Sequence, residues 1–583
     1  MHHNIFEFYK TKLIQIITEN ISSDIPLELL DKIAIDPPRD EKYGDFSTNA
    51  AMILSKTVKK NPKELAKNIK NILEQSPEIT HTEVAGPGFL NFSLHPKEWL
   101  NQIKVIKQQQ SNYGLNDSGK SQIVNIEFVS ANPTGPLTAG HARGAIFGDA
   151  LAHLLEKNGY KVIREYYIND AGGQVDTLAR STFLRYQEAL GHDIGEIPSG
   201  LYPGEYLKTV GESIKHKDAD KWLNQEESQW LPVFRETAVK EMMSEIQTDL
   251  EALDIKMDFY TSEKKLVEAG AVDKAFKKLQ DESLIYEGIL PPPKGKPDEN
   301  WEPREQVLFK ASQFGDDQDR PLKKSDGSWT YFANDIAYHY DKFLRCKANE
   351  LIDVLGADHD GYIKRIKAST KAITSDQCAV DVKICQLVHL MDKGVPIKMS
   401  KRSGNFVTLK EIMDKVGKDV IRFIMLTRSN DQALEFDFAK VIEQSKDNPV
   451  FYVQYANARC HSILRHALAE KIITCIDDLN HIDHLKELEH PDFQLMIKKL
   501  AQFPRIIYIA GKAHEPHRIA TYLQELAAEF HGLWHKGRDN AALKFIQTDQ
   551  LDATKARLIL INCITIVIGV ALNILGVKPM TEM

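Results

Sequence analysis

Apolar positions recur every three to four residues in the opening stretch IFEFYKTKLIQIITENI, which predicts an amphipathic helix. PPRDEKYGDFSTNAAMILSKTVKKNPKELAKNIKNILEQ then reads as a turn-rich loop followed by helices, broken at Asn61-Pro62. EVAGPGFLNFSL gives two short strands around Gly86-Pro87-Gly88, and the polar stretch Gln108 to Gln122 reads as a linker. The pattern changes at IVNIEFV, a β-branched apolar run that suits a buried strand. A Pro/Gly loop, SANPTGPLTAG, leads into the helical pattern HARGAIFGDALAHLLEKNGY, stopped at Asn158-Gly159. KVIREYYIND is a second strand, so this unit is a βαβ crossover opening a doubly wound sheet. Residues 180–300 are charged and helical in pattern and read as insertions, closed by Pro291-Pro292-Pro293. QVLFKA and SWTYFAND look like strands about an Asp326-Gly327 turn, and LIDVLGADHDGY continues the second half of the sheet. From Asn448 onward the period is helical nearly throughout, as in a bundle.

These elements predict an α/β Rossmann-like doubly wound catalytic core with helical insertions, a small N-terminal α/β domain and a C-terminal α-helical bundle. The expected division is 1–115, 116–380 with the insertion at 180–300, a connector at 381–447, and the bundle at 448–583. Leu558 to Val577 is uncharged and long enough for a bilayer. Asn562, Thr565 and Asn573 interrupt it, and it continues a helical pattern from Leu551, so a buried core helix is expected rather than a membrane anchor.

Net charge is −8 over 583 residues, which excludes a uniformly basic coat but not a local basic patch. The six cysteines form no CxxC and no Cys/His cluster, which argues against structural zinc and a disulfide framework. Met1 to Lys12 has no basic segment followed by an apolar one, so no secretory signal is read there. A cytoplasmic protein with no membrane partner is expected. Nothing reads as a dimerisation coil, which makes a monomer the default.

No GxxxxGK[ST] occurs, and no GxGxxG follows a strand. The first strand is followed instead by Asn132-Pro133-Thr134-Gly135-Pro136-Leu137-Thr138-Ala139-Gly140-His141. This loop delivers His141 to a helix N-terminus, where free N–H groups favour an anion. Gly140 lets a ring or phosphate approach the backbone, and His141 can donate to a phosphoryl oxygen. The alternative is a histidine that merely caps the helix. Far downstream, Lys398-Met399-Ser400-Lys401-Arg402-Ser403-Gly404 places cations among small residues, which suits a clamp on a polyphosphate or, more blandly, a solvated basic turn.

Taken together in this order, the two segments resemble the HIGH and KMSKS signatures of class I aminoacyl-tRNA synthetases. EFVSANPTGPLTAGHARGAIFGDALAHLLEKNGYKVIREYYINDAGGQ, DGSWTYFANDIAYHYDK, GADHDGY and KMSKRSGNFVTL are similar to the bacterial type of the arginyl-tRNA synthetase family. KYGDFSTNAAM and AGPGFLNF resemble that family's N-terminal module, and NPVFYVQYANAR its anticodon-binding module, so the likeness spans essentially the whole chain. Two positions depart: Thr138 stands at the first histidine of HIGH, and Arg402 at the last serine of KMSKS.

The resemblance implies ATP-dependent ligation of L-arginine to tRNA(Arg) through an arginyl-adenylate, with transfer to the 2′-hydroxyl of the terminal adenosine. Magnesium would travel with ATP, and no protein zinc is implied. His141, Lys398 and Lys401 are the implied catalytic residues. Pro133, Thr134, Gly135, Pro136, Thr138, Gly140, His141, Gly144, Met399 and Ser400 would hold ATP, with Asp149 shaping the helix behind. A guanidinium needs carboxylates in a planar, bidentate arrangement. Glu127, Asn132, Tyr331, Asp335 and His359 are the implied arginine residues, against an N-cap for Asp335 and a satisfied core hydroxyl for Tyr331. For tRNA, Lys59 and Lys60, with Lys56 and Lys63, form a basic cluster, and Tyr452, Tyr455, Asn457, Arg459, Trp534, His535 and Lys536 set aromatics beside cations. Two other readings are an adenylating enzyme of the HIGH superfamily that uses no tRNA, and a non-catalytic tRNA-binding relative. The long bundle and N-terminal module oppose the first. Retention of His141 and the two lysines opposes the second.

Overall fold

The computed structural model describes residues 4–290, 304–397, 406–481 and 485–583. The centre is a five-stranded parallel sheet. Its strands are β1 (Ile123–Glu127), β2 (Lys161–Ile168), β3 (Phe259–Ser262), β4 (Glu350–Gly356) and β5 (Ala379–Cys385), in the order β3-β2-β1-β4-β5. This is a doubly wound order, and it reverses between β1 and β4. Ligands of such sheets sit outside the strand C-termini at that reversal. Four of the five β1 residues are buried, because its neighbours and the covering helices leave it no solvent face.

The helices that matter for the site are α1 (Ala139–Lys157), α2 (Tyr206–Asp218), α3 (Glu227–Ala252) and α4 (Tyr331–Cys346). Small residues let α1 lie close on β1. A Cβ added at Gly148 would stand 2.2 Å from Phe128 Cγ, so only glycine fits there.

Three expectations change. Residues 180–300 are not one uninterrupted helical insertion, because β3 returns to the sheet at its edge. QVLF forms a strand, but in a separate three-stranded antiparallel sheet. SWTYFAND is not a strand: Tyr331 opens α4, capped by the Thr330 hydroxyl, which accepts from Ala333 N–H at 3.3 Å. The cap satisfies an orphan helix donor, and Phe332, Ala333, Ile336 and Ala337 form a helical stripe against Phe309. The supposed linker from Gln108 is also anchored: Tyr113 is fully buried and donates to the Leu500 carbonyl at 3.2 Å.

The N-terminal module carries a four-stranded antiparallel sheet. The C-terminal bundle is built from α5 (Pro449–Ala469), Pro491–Ala501, Phe503–Ala513, α6 (His517–Asp539) and α7 (Leu551–Ile574). α7 is the one helix among the described residues long and apolar enough to cross a bilayer. It is buried as expected, surrounded by α5, α6 and the helix Pro96–Gln109. Arg422 locks the bundle to the core. It is fully buried and donates to the carbonyls of Leu253 and Leu575, each at 2.9 Å, and to Asp149 of α1. Gly576 has φ +66°, and a Cβ there would run into the Arg422 guanidinium.

Replacing Gly148 with Ala should cost about 1–3 kcal/mol through overpacking. Thermal unfolding should show a lowered midpoint, and an unchanged one would contradict the close α1–β1 contact.

Candidate active site

The site forms where β1 ends. Val129 has φ +71° and Ser130 N–H bonds the Phe128 carbonyl at 3.0 Å, which makes a γ-turn centred on a β-branched residue. That backbone is strained, and strain of this kind persists only where the surroundings enforce it. Here the enforcement comes from β2. Tyr166 OH donates to the Ala131 carbonyl at 2.7 Å, and Tyr167 N–H donates to Ser130 Oγ at 3.0 Å. The turn separates Glu127, which points into the sheet layer, from Asn132, which is exposed and donates to Gln174 Oε1 at 2.9 Å.

Pro133 and Pro136 are buried, while Thr134 and Gly135 are half-exposed. Tyr206 of α2 donates to the Thr134 carbonyl at 2.7 Å, so the inserted helices brace this loop. A Cβ at Gly135 would crowd the same Tyr206 hydroxyl at 3.0 Å. Leu409 N–H bonds the Leu137 carbonyl at 2.8 Å, and Thr138 bridges Thr408, so the chain just beyond the second signature docks at the start of α1.

Thr138 is the N-cap of α1 and is buried. Its backbone N–H donates to His141 Nδ1 at 3.1 Å. Nδ1 is therefore an acceptor, and the neutral ring carries its proton on Nε2, the nitrogen that can donate to an anion. The threonine backbone thus fixes the tautomer and ring orientation of His141. Gly140, His141 and Gly144 share one helix face. A Cβ at Gly144 meets nothing within 4 Å, which leaves open space over bare backbone. Asp149, farther along α1, is spent on Arg422 in the core. Lys398, Met399, Ser400 and Lys401 lie outside the described residues.

The other half of the site is acidic. In strand register Asp353 of β4 faces Glu127 of β1, which faces Glu165 of β2. These three carboxylates form one buried row, exposed by 1%, 7% and 0%. α4 lays cations over them. Lys342 Nζ is 2.9 Å from Glu127 Oε2 and 2.7 Å from Asp353 Oδ1, and Arg345 is 2.7 Å from Glu165 Oε1. Burial opposes the charge on Asp353, but the Lys342 ammonium and His339 hold its carboxyl far below the usual range.

Asp335 lies one turn after Tyr331 on α4. It is not the N-cap, which is Thr330. Tyr362 donates its phenol to Asp335 Oδ2. Burial raises the Asp335 carboxyl to about 6, with the Tyr362 bond and His339 pulling the other way. Tyr331 is 68% exposed, so it is a rim residue and not a satisfied core hydroxyl. Its hydroxyl lies near Gly172. His359 is exposed on the turn Ala357–Tyr362, three residues before Tyr362, and a 3₁₀ turn puts the two on one side.

Several residues escaped the sequence reading. Glu263 is buried at the start of a short helix after β3, accepts from Asn334 at 3.0 Å, and has its carboxyl raised by burial. Glu263, Asp335, Glu127 and Asp170 all act on the Tyr167 hydroxyl, which burial keeps protonated. An acidic residue opening a helix looks ordinary in sequence, and nothing local reveals that Lys342, Asp353 and Tyr362 converge.

At the far end, Tyr455, Arg459 and Trp534 meet as expected of an aromatic–cation surface. The Arg459 guanidinium lies 4.3 Å from the Tyr455 ring centre and 5.0 Å from that of Trp534. They line a cavity of about 660 Å³ that Met583 also borders. Tyr452 packs half-buried on His531 with ring centres 4.5 Å apart. Asn457 is buried and donates to the Met580 carbonyl at 2.9 Å, so it holds the C-terminal tail and does not face solvent. Lys59 and Lys60 are exposed at the end of the helix Ala50–Val58. A further cleft of about 1020 Å³ between the N-terminal module and the bundle is lined by Arg39, Lys42, Lys498 and Lys499.

Comparison with known proteins agrees along the chain. Residues 11–94 match the arginyl tRNA synthetase N terminal domain, 102–445 the catalytic domain of tRNA synthetases class I (R), and 453–583 the DALR anticodon binding domain. The arginine–tRNA ligase of Parvibaculum lavamentivorans is 52% identical over 584 residues, covering 100% of each chain. That of Paracoccus denitrificans is 49% identical over 582 residues, also covering 100% of each. The solved arginyl-tRNA synthetase of Thermus thermophilus shares the fold, with a TM-score of 0.73 at 19% identity over 99% of this chain and 100% of that one.

Thr138→Ala should cost about 1 kcal/mol, the usual worth of an N-cap, whereas Thr138→Ser should cost little. Thermal unfolding of the two variants checks this, and equal midpoints would remove Thr138 as the cap.

Proposed function

Because this chain belongs to the arginyl-tRNA synthetase family and is an arginine–tRNA ligase that uses ATP, we propose how its own residues carry the two steps. ATP, entering as its magnesium complex, lies on Pro133, Thr134, Gly135, Pro136 and the exposed face of α1 at Thr138, Gly140, His141 and Gly144. Arginine lies over the acidic half. Glu127 and Asp335 take the guanidinium, Asn132 faces the α-amino and carboxylate end, and Tyr331 and His359 border the rim. The arginine carboxylate attacks the α-phosphorus and pyrophosphate leaves. The 2′-hydroxyl of the terminal adenosine then attacks the adenylate carbonyl and AMP leaves.

No protein nucleophile is needed, so positioning and electrostatic stabilisation carry the rate. His141 supplies its Nε2–H to a phosphoryl oxygen. By their place in the second signature, Lys398 and Lys401 supply positive charge, beside Met399 and Ser400. The N-terminal module of residues 1–115, with Lys59 and Lys60, and the bundle of residues 448–583, with Tyr452, Tyr455, Arg459 and Trp534, hold tRNA. The enzyme acts as a monomer in the cytoplasm.

One observation supports the arginine assignment above the others. Asp335 is a half-buried carboxylate bonded to a phenol, and among the described residues no lysine or arginine pairs with it. A carboxylate drawn away from water needs a cation, and the substrate brings one.

ATP–pyrophosphate exchange over a panel of amino acids, with and without tRNA, tests the reading. Exchange with arginine and no other amino acid supports it, and exchange with none sinks it. His141→Ala should lower kcat by about 10²–10³, the scale of one oxyanion donor, with arginine KM little changed.

Arginine affinity should rise with pH through about 6, as Asp335 ionises, and level off above that. The folded value lies above the ordinary carboxylate value, so Asp335 lowers stability as pH rises through about 6. Asp335→Asn should flatten both profiles, and calorimetric titration of arginine from pH 5 to 8 reads the first.

A further inference from the structure

We propose that Lys342 is a positioning residue for arginine recognition: its buried ammonium holds Glu127 beside Asp353 in the charged form and fixes the orientation in which that carboxylate meets the substrate guanidinium. The proposal rests on the reading that Glu127 and Asp335 hold the guanidinium.

The strand register creates the need. Parallel pairing sets Asp353, Glu127 and Glu165 side by side, all buried. Like charges at such spacing drive each other to protonate. Glu165 is relieved independently by Arg345 at 2.7 Å, by Asn125 at 2.6 Å and by Thr261 at 2.6 Å. Glu127 and Asp353 share Lys342, which has no solvent exposure and sits 4.5 Å from the Tyr338 ring centre.

The network continues from there. The other Asp353 oxygen meets His339 Nε2 at 2.8 Å, while His339 Nδ1 meets the Asp335 carbonyl at 2.7 Å. Both partners are acceptors, a carboxylate and a carbonyl, so the ring ties Asp353 of β4 to the first turns of α4. Along α4, then, Arg345 bonds Glu165 and Asp341, Lys342 bonds Glu127 and Asp353, and the Asp335 carboxylate has no lysine or arginine partner among the described residues. The guanidinium of arginine supplies that partner. Lys342 bonds Oε2 of Glu127, and the Tyr338 hydroxyl also bonds that carboxylate, so α4 fixes its orientation from two side chains. A ligand lacking the positive charge would leave Asp335 without a cation, so the pocket discriminates against neutral isosteres of arginine.

The groups facing Glu127 are Lys342, Tyr338, His339 and Asp335 from α4, Asp353 from β4, and Glu165 with Tyr167 from β2. Removing the Lys342 charge leaves two adjacent carboxylates without their shared cation, and one takes up a proton near neutral pH. Lys342→Met should therefore raise arginine KM roughly 30-fold at pH 7, with a smaller change in kcat at saturating arginine. The KM should fall again toward pH 9, while the wild-type KM is flat there. Lys342→Arg keeps the cation and should restore KM to within a few-fold at every pH.

Asp353→Asn is the second variant, should Lys342→Met not fold. It is isosteric and lies behind Lys342, and it makes the cluster more positive. Its arginine KM should rise with no recovery at high pH. ATP–pyrophosphate exchange from pH 6.5 to 9 reads all three variants. An unchanged KM in Lys342→Met or Asp353→Asn overturns the proposal. So does an equal, pH-independent loss in Lys342→Met and Lys342→Arg, which would mean packing and not charge. Glu127→Gln separates the premise: if it leaves arginine KM unchanged, the pocket reading itself fails, whatever Lys342 does.

Discussion

Three carboxylates in one row across a parallel sheet cannot stay ionised unless cations lie over them. Asp353, Glu127 and Glu165 form that row, and α4 answers it with Lys342 and Arg345. Buried ion pairs add little net stability, but breaking one costs several kcal/mol because a bare charge remains. The position of α4 against the sheet is therefore set by charge as much as by its apolar stripe. The same helix carries Tyr331 and Asp335 at its start, so the constraint that seats the helix also places those two side chains.

The half of the site that follows β1 is held by different physics. A strained turn at Val129 redirects the chain out of β1, and two tyrosines of β2 enforce it. The buried Thr138 cap then turns His141 so that Nε2 is the donor. Both halves are anchored to β1, two residues before the strained turn and a few after it. Glu127 and the loop from Asn132 to Thr138 therefore depend on one strand, and a shift of β1 would disturb both halves of the site together.

Longer connections join the site to the ends of the chain. Arg422 ties α1, through Asp149, to the carbonyls at the ends of α3 and α7. From Gly576 the tail runs along α5, held by Asn457 and Gln454, to the cavity at Tyr455 and Arg459. Helix α1, which opens at Ala139, and the tail that runs to the cavity at Tyr455 and Arg459 thus meet through one buried guanidinium.

Much of this protein was legible in the residues alone. The βαβ opening, the helical bundle, the buried character of α7 and both signature segments are local patterns, and local patterns follow from periodicity and turn chemistry. The signature loop pointed to His141, and the resemblance of DGSWTYFANDIAYHYDK pointed to Tyr331 and Asp335. Tertiary structure decided the rest. SWTYFAND carries strand-forming residues, yet the Thr330 cap and the packing of Phe332 and Ile336 made it a helix. β3 lies nearly a hundred residues beyond β2 and joins it only through sheet pairing. The acid row exists because of strand register, which brings together residues more than two hundred positions apart, from Glu127 to Asp353. Burial turned those ordinary carboxylates and one lysine into a coupled set, and burial is a property of the packed chain that no local pattern records.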